Sequence, residues 1–485
     1  MIADLRPYPE YKESGLPWLG QVPGHWETRR LRHACEMRVS NVDKQTKQGE
    51  TPVRLCNYVE VYKNERIRES TRFMSASASE DERIRFCLRR GDVLITKDSE
   101  QWNDIGVPSL VEFEAPDLVC GYHLAILRAR PPLHGPFLHR ALECHFIAAQ
   151  FHVEANGVTR YGLSHGAIQG VSIPLPPPTE QAAIVRFLDW ANGRLERAIR
   201  AKRKVIALLN EQKQAIIHRA VTRGLDPSVP LKPSGISWLG DIPAHWKTPL
   251  FGRLLTRIEQ GWSPVAAEGE LASDQWAVLT LSAVRRGVFN PSAIKPVSWT
   301  VSIPTGIEVD DGDLLLTRSN TRDRVGDVCI ARGARPRTLL CDLIYRVRLR
   351  EGAIVPEFLV YELLSRVGRG QIERDARGSS GTMPKISQGH IKSWRIVLPP
   401  IEEQERIIER IEADSSPLNL ALSRLEREIE LLREYRTRLI ADVVTGKLDV
   451  SDAASRLPEA AAPDAAEEPA EGLDETELAD EEAAV

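Results

Sequence analysis

The feature that most constrains the fold of this 485-residue chain is an internal repeat of about 220 residues. Four blocks occur twice in the same order, at offsets of 220 to 223 residues. They are WLGQVPGHW and WLGDIPAHW (18–26 and 238–246), GDVLITKDSE and GDLLLTRSNT (91–100 and 312–321), LSHGAIQGVSIPLPPPTEQ and ISQGHIKSWRIVLPPIEEQ (163–181 and 386–404), and VTRGLD and VTGKLD (221–226 and 444–449). The chain therefore contains two copies of one structural unit.

The earlier part of each copy has the pattern of a mixed domain. Short apolar runs such as DVLIT and DLLLT, bounded by turn residues, predict strands, and helices are predicted between them, one of them over 137–153. We therefore predict an α/β (α+β) fold with two similar mixed α/β domains, at 11–178 and 231–400.

Helical periodicity follows the proline run of each copy, at 179–222 and 401–446. Apolar residues recur about every 3.5 residues from Ile184 and from Ile407, at eight of ten positions in each helix. This period is typical of a coiled coil, in which one helix buries its apolar face against another. We predict that the two helices pair antiparallel with pseudo-twofold symmetry, with a local kink at Pro417.

Charge is distributed unevenly along the chain. The C-terminal segment 451–485 has twelve acidic residues and one basic residue, so residues 1–450 carry a net charge of +7 although the whole chain carries −4. The acidic segment has few bulky apolar residues and is predicted to be disordered. The basic remainder is compatible with a polyanionic partner. Without a long apolar run or an apolar N-terminal signal, the protein is expected to be cytoplasmic and free of membrane contact.

Motifs of catalysis and metal binding are missing from the sequence. It lacks the GxxxxGK[ST], HExxH and GxSxG patterns and the DPPF or NPPY tetrapeptides of amino-methylation, and its seven cysteines form no CxxC pair. His25 and His245 recur beside a tryptophan in the repeat, where a structural hydrogen bond is expected. We therefore predict no catalytic site, metal or cofactor in this chain.

Two segments of each copy combine polar, basic and glycine residues beside a predicted strand. They lie at 95–106 and 156–168 in the first copy and at 316–326 and 376–391 in the second. Arg and Lys donate hydrogen bonds to guanine and phosphate, and Asn suits adenine. The candidate DNA-binding residues are Lys97, Trp102, Arg160, Tyr161, Arg318, Asn320, Arg322, Arg324, Arg377 and Lys385. The segments differ between the copies while the flanking blocks match, which predicts two different half-sites.

The duplicated SGxxWLGxxPxHW segment (14–26 and 234–246) and the duplicated PLPPPTEQ and VLPPIEEQ junctions resemble the specificity subunit of type I restriction-modification systems, over about residues 11–449. The resemblance implies two target-recognition domains that each bind one half of a bipartite DNA sequence. It also implies two conserved helices whose antiparallel pairing sets the length of the unread spacer, and no catalysis by the subunit itself.

Partners and cofactors follow from the same resemblance. Two modification subunits would carry S-adenosylmethionine and methylate adenine, and two restriction subunits would use ATP and Mg²⁺. The starts of the conserved helices are expected to contact the modification subunits, through Glu180, Gln181, Arg186, Glu403, Gln404 and Arg406. The family offers no role for the acidic segment 451–485.

Two other functions are compatible with the sequence. A coiled-coil scaffold with two protein-binding heads would have no affinity for DNA, whereas binding through phosphate contacts falls steeply as salt rises. An enzyme with an unrecognised nuclease site would act on DNA without partner subunits.

Overall fold

The computed structural model describes residues 5–236, 239–264, 267, 269, 271–376 and 383–458. The described chain forms two compact units: the first comprises 5–202 and 427–458, and the second comprises the described part of 203–426. Within these ranges, no helix combines the length and the apolar character needed to cross a membrane.

The first unit is built on a five-stranded sheet with both faces buried. Its strand order is Cys35–Val39, Leu124–Ala129, Val93–Thr96, Pro108–Val111 and Arg66–Ile67, antiparallel except for the last pair. Val93 and Ile95 lie in one hydrophobic cluster and Leu94 lies in another. Side chains alternate between the two faces of a strand, so burial of both faces explains why the run VLIT is continuously apolar.

Helices and a smaller sheet cover the two faces. Phe137 and Phe151 from two helices fill the first cluster, and a three-stranded sheet contributes Leu55 and Leu118 to the other. The three strands are Leu118–Cys120, Thr51–Cys56 and Met74–Ala78, and two-stranded pairs join Tyr11–Glu13 to Gln21–Pro23, Glu27–Arg30 to Ser172–Leu175, and Asp98–Ser99 to Tyr161–Gly162. The short helices are Leu31–Ala34, Tyr58–Lys63, Glu80–Phe86, Gly135–Leu142, His145–Glu154 and His165–Gly170.

The prediction of one continuous helix over 137–153 is wrong. The structure has two helices, Gly135–Leu142 and His145–Glu154, because the backbone of Cys144 is extended. The second unit has the same break at Ser365, whose hydroxyl caps the following helix by accepting a hydrogen bond from the Gly368 amide.

The second unit repeats this plan with four central strands. Leu255–Gln260, Ile344–Leu349, Leu314–Thr317 and Val328–Ile330 pair antiparallel in that order. Its other strands are Ile294–Pro296, Ala277–Leu279 and Thr338–Leu339 in one sheet, and the pairs Leu231–Pro233 with Asp241–Pro243 and Val284–Arg285 with Val288–Phe289. Its short helices are Phe251–Arg253, Leu281–Ala283, Pro356–Leu364, Arg366–Asp375 and Gln388–Ser393. The predicted mixed α/β fold class is confirmed.

Two long helices contribute to both units: the first long helix is Pro178–Arg223 and the second long helix is Ile401–Val444, which continues through Pro417. In the first unit, Glu196 bonds Arg436 at 2.8 Å and Lys202 pairs with Glu428. In the second unit, Lys213 donates to Asn419 at 2.8 Å, and Gly224 lies against Glu403. Residue numbers rise along one helix as they fall along the other, so the helices run antiparallel within each unit.

The buried face of the first long helix departs from the predicted register after Leu195. The 3.5-residue register leads through Ala198 to Val205, which is 44% exposed. The buried positions shift by one residue, to Ile199 and the half-buried Ile206. Lys202, Leu209 and Ile216 of the predicted register are half-buried as well, so the average spacing is kept and only the order of the three- and four-residue steps differs.

The folded chain continues past residue 451, where the predicted disordered segment 451–485 begins. A short helix spans Ser451–Ser455, and Ala453, Ala454 and Leu457 are buried. The first residues of that segment are thus part of the hydrophobic core of the first unit. The rest of the segment, from 459 onward, lies outside the described residues.

Candidate nucleic-acid interface

The two candidate segments of the first unit lie side by side. The amide of Leu163 donates to the Lys97 carbonyl at 2.9 Å, and Tyr161 and Gly162 pair with Ser99 and Asp98 in a short antiparallel ribbon. Pairing in the fold therefore joins two segments that lie about 60 residues apart in the sequence into one surface.

The second unit joins its candidate segments in the same way. The amide of Ile386 donates to the Arg318 carbonyl at 2.9 Å, and Ser319 forms an isolated bridge with Lys385. Ile386 and Arg318 occupy the repeat positions of Leu163 and Lys97. The frame that holds the candidate residues is thus the same in both units.

A glycine closes the loop of each frame. Gly106 (φ +77°) donates its amide to the Thr96 carbonyl, and Gly326 (φ +73°) donates to the Thr317 carbonyl, each at 3.0 Å. A Cβ atom on Gly106 would lie 2.6 Å from the Phe151 ring. Positive φ and this close packing explain why both copies have glycine here.

Side chains of the first frame bond mostly within it. The Lys97 ammonium lies 3.3 Å from the Asp98 carboxylate, which also bonds Nδ1 of His123 at 2.6 Å. Arg160 is exposed, Tyr161 is half-buried, and Trp102 is 53% exposed with its ring against the edge of His152.

Side chains of the second frame are more varied in exposure. The Arg318 guanidinium lies 6.0 Å from the centre of the Tyr345 ring, and Arg322 and Lys385 are exposed. Asn320 is only 8% exposed, and its carbonyl oxygen accepts a hydrogen bond from the Thr321 amide. The side-chain oxygen of Asn320 therefore holds the loop, and only a small part of this side chain is accessible for the predicted adenine contact. Arg324 is also largely buried, and Arg377 lies outside the described residues.

A second duplicated feature ties each tryptophan segment to the start of a long helix. The Glu180 carboxylate accepts hydrogen bonds from Tyr8 Oη (3.0 Å), Trp26 Nε1 (2.8 Å) and His25 Nε2 (2.6 Å). Trp26 is fully buried. Burial, reinforced by the charge of Glu180, raises the pKa of Tyr8, so its hydroxyl stays protonated and can donate this hydrogen bond.

The second unit repeats this arrangement around Glu403. Trp246 Nε1 and His245 Nε2 lie 3.0 and 2.7 Å from the Glu403 carboxylate. Gly224, which follows the first long helix, packs against the Trp246 ring, as Gly446 after the second long helix packs against Trp26. The expected structural hydrogen bonds of the two histidines are thus present. Each buried tryptophan ring also packs against the glycine of a duplicated block, VTRGLD or VTGKLD. Trp238 lies outside the described residues.

Several residues predicted to contact other subunits have internal partners instead. Gln181 is fully buried, accepts from the His134 amide and donates to the Pro132 and Pro176 carbonyls. Gln404 is equally buried and accepts from the Val355 amide. Glu180 and Glu403 bind the tryptophan segments, and Arg186 donates to the Leu457 carbonyl at 2.7 Å. Gln181 and Gln404 thus have no accessible surface in the described structure, whereas Arg406 is exposed. Contact of the six residues with another subunit stays a prediction.

An ion network in the first unit was not predicted from the sequence. Arg140 is 2% exposed and bonds Glu143 (2.5 Å), Glu65 (2.7 Å) and Asp189 (2.7 Å). Burial opposes ionisation of Glu65, but the charge of Arg140 and its neighbours prevails and lowers the pKa of Glu65 to about 2. Asp189 belongs to the first long helix, so the network links that helix to the globular part. The only sequence signal was an arginine on an otherwise apolar helix.

Comparisons with known proteins agree with this organisation. No protein-family model matches the chain. The EcoEI specificity subunit of Escherichia coli is 28% identical over 173 residues, covering 36% of this chain and 29% of that subunit. The putative MjaX specificity subunit of Methanocaldococcus jannaschii is 23% identical over 453 residues, covering 91% of this chain and 98% of the relative. The EcoKI specificity subunit of Escherichia coli K12 is 27% identical over 284 residues, covering 56% of this chain and 58% of that subunit.

The chain thus spans less than two thirds of the EcoEI and EcoKI subunits and nearly all of the MjaX subunit. A chain from a solved structure of a type I restriction-modification system matches with a TM-score of 0.58 and 19% identity, covering 88% of this chain and 99% of that chain. The two chains share a fold. The family predicted from the duplicated motifs is confirmed: this chain is a relative of the type I restriction specificity subunits.

Proposed function

We propose that this chain is the subunit that selects DNA sequence in a type I restriction-modification complex, with each unit binding one half of a bipartite double-stranded target. The observation that carries the proposal is the pair of equivalent frames. The bonds Leu163–Lys97 and Ile386–Arg318 are the same, whereas the exposed side chains that they hold differ. Equal frames with unequal surfaces suit recognition of two unlike half-sites.

The proposed partners are two modification subunits and two restriction subunits. S-adenosylmethionine, ATP and Mg²⁺ would be bound by those subunits, and this chain would contribute no catalytic group. The long helices have exposed apolar residues apart from their buried faces, Val205, Leu208 and Leu420 in the second unit and Leu431 and Tyr435 in the first. Exposed apolar side chains on helices are typical of protein contact surfaces and support this part of the proposal.

Methylome sequencing of a host that expresses this chain with its modification subunit tests the proposal. A bipartite methylated sequence that appears only when both are expressed is the expected result. Exchange of residues 27–162 for those of a relative should change one half-site and leave the other intact. If the methylated sequence does not depend on this chain, the proposed function is wrong.

The length of the long helices provides a second test. The proposal assigns the unread spacer to them, so insertion of one heptad into either helix should alter the spacer and preserve the bases of both half-sites. Altered half-site bases with an unchanged spacer would contradict this role.

The alternative of a protein scaffold is separated by affinity. Binding of the full-length chain and its modification subunit to target DNA should weaken steeply as salt rises, because neutralised phosphates release counterions. A scaffold would show no DNA affinity at any salt concentration.

A further inference from the structure

The candidate segments of the two units differ sharply in charge. Segments 95–106 and 156–168 of the first unit contain two cations, Lys97 and Arg160, and three carboxylates. Segments 316–326 and 376–391 of the second unit contain five Arg or Lys residues and one carboxylate. Guanine edges and phosphates need cationic donors, so the first surface is poorly equipped for them.

Lys97 is also engaged by its neighbours. Its ammonium lies 3.3 Å from the Asp98 carboxylate, and His123 bonds the same carboxylate at 2.6 Å. The side chain of Asp98 is 15% exposed. A base or phosphate would have to compete with this ion pair. Of the two cations, Lys97 and Arg160, only Arg160 is therefore exposed and outside this pair.

The first surface presents apolar groups instead. Val158 is 94% exposed at the tip of the hairpin closed by the bridge between Asn156 and Gly162. Trp102 is 53% exposed in the loop that follows the paired residue Ser99. Both tips leave the same two-stranded ribbon, so the two side chains belong to one projecting surface. Among the described residues of 316–326 and 376–391, no large apolar side chain is exposed in this way.

Covering an exposed valine and tryptophan is favourable, because removing apolar surface from water lowers the free energy. In the DNA complex that the proposed function requires, an apolar group of the DNA can supply this burial. In duplex DNA, the one apolar group that varies with sequence in the major groove is the C5 methyl group of thymine.

We infer that the first unit recognises its half-site through the C5 methyl group of thymine, contacted by Val158 and Trp102, whereas the second unit relies on cationic donors. The inference rests on the proposed function and specifies its chemistry. Trp102 is one of the candidate DNA-binding residues, and Val158 is not.

Deoxyuridine differs from thymidine only in lacking this methyl group, and it makes the decisive probe. The bipartite target is first obtained from the methylome. Duplexes then carry deoxyuridine for thymidine on both strands of one half-site at a time, and fluorescence anisotropy measures their affinity for the full-length chain with its modification subunit. Each contacted methyl group that is lost should weaken binding about fourfold. This loss is expected in one half-site only.

Matched variants link the loss to the residues. In Val158→Asn, which removes both side-chain methyl groups, affinity for thymidine DNA should fall part of the way towards that for deoxyuridine DNA, and in the Trp102→Ala/Val158→Asn double variant it should fall to that value. Val288→Asn, the same change at an exposed valine of the second unit, should leave the sensitivity to deoxyuridine intact. Thermal unfolding midpoints equal to that of the unchanged protein verify that the variants fold.

The possible failures are distinguishable. If the chain binds its bipartite target specifically but deoxyuridine has no effect in either half, the inference is wrong and the proposed function stands. If the deoxyuridine effect persists undiminished in the double variant, other residues contact the methyl group and the inference is again wrong. If no preferred sequence exists, both fail.

Discussion

Replacement of the Glu180 carboxylate by an amide should destabilise the first unit more than the same change at Glu403 destabilises the second. Glu180 accepts from three side chains, Tyr8, His25 and Trp26, whereas Glu403 accepts from two, His245 and Trp246. Trp26 and Trp246 are both fully buried, so the sites differ in the tyrosine and in the histidine. The histidine and the tryptophan bond different oxygens of Glu180, whereas they share Oε2 of Glu403.

The magnitude follows from the number of donors. A hydrogen bond to a charged acceptor contributes about 1.5–3 kcal/mol, and the amide of Gln keeps one oxygen that still accepts. Glu180→Gln should therefore lower the free energy of unfolding of the first unit by about 3 kcal/mol, and Glu403→Gln should lower that of the second unit by about 2 kcal/mol. The difference of about 1 kcal/mol is assigned to the bond from Tyr8, which is itself buried.

Hydrogen exchange followed by mass spectrometry measures the two units separately. Opening free energies of peptides around Trp26 and Trp246 report each site within the intact chain. Tyr8→Phe provides the control, since it removes the hydroxyl and keeps the ring. It should cost about 1 kcal/mol in the wild-type chain and close to nothing in the Glu180→Gln background.

Two results would refute this reasoning. The first is an equal cost of the two Gln substitutions. The second is simple additivity of Tyr8→Phe and Glu180→Gln, which would mean that the hydroxyl and the carboxylate do not stabilise one another.

Three further predictions concern the cores. Burial raises the pKa of Glu362 to about 8 from its ordinary 4.5, so between these pH values the unfolded chain loses the proton first and stability falls as pH rises. Glu362→Gln should therefore stabilise the second unit by about 3 kcal/mol at pH 7 and not at pH 4.5. A pH-independent effect in urea unfolding would contradict this. Arg140→Met should destabilise the first unit by about 3 kcal/mol in the same assay, because it removes the cation nearest the largely buried Glu143 carboxylate, whose next cation, Arg436, lies 3.9 Å away; an unchanged midpoint would show that Arg140 is dispensable. Gly106→Ala should lower the melting temperature much more than Gly91→Ala does, because both glycines have positive φ but only Gly106 packs against Phe151. Equal decreases in melting temperature would mean that backbone strain alone matters.

The sequence predicted the frames well because their signals are local or repeated. Apolar runs such as VLIT mark strands that are buried on both faces, and the matched blocks identify which parts of the two units are the same. The tryptophan segments are repeated blocks of this kind, and Trp26 and Trp246 are buried and bond the first turns of the long helices.

The accessibility of the candidate side chains was not predictable in this way. Glutamine and asparagine are common at contact surfaces, but the Gln181 and Asn320 side chains accept hydrogen bonds from backbone amides, those of His134 and Thr321. The path of the backbone decides where those amides lie. The helix register differs for a related reason: an alternation of three- and four-residue steps can begin with either step, and only packing in the folded unit decides that Ile206 rather than Val205 is half-buried.

The sequence alone determined that this protein has two copies of one α/β unit with long helices, because duplication and periodicity are written in residue order. Only the tertiary structure decided which side chains are free to meet a ligand. Lys97 is paired with Asp98, which also bonds His123, whereas Val158 is exposed at a hairpin tip. The physical reason is that exposure and charge neutralisation depend on partners far away in the chain, and those partners meet only when the fold closes.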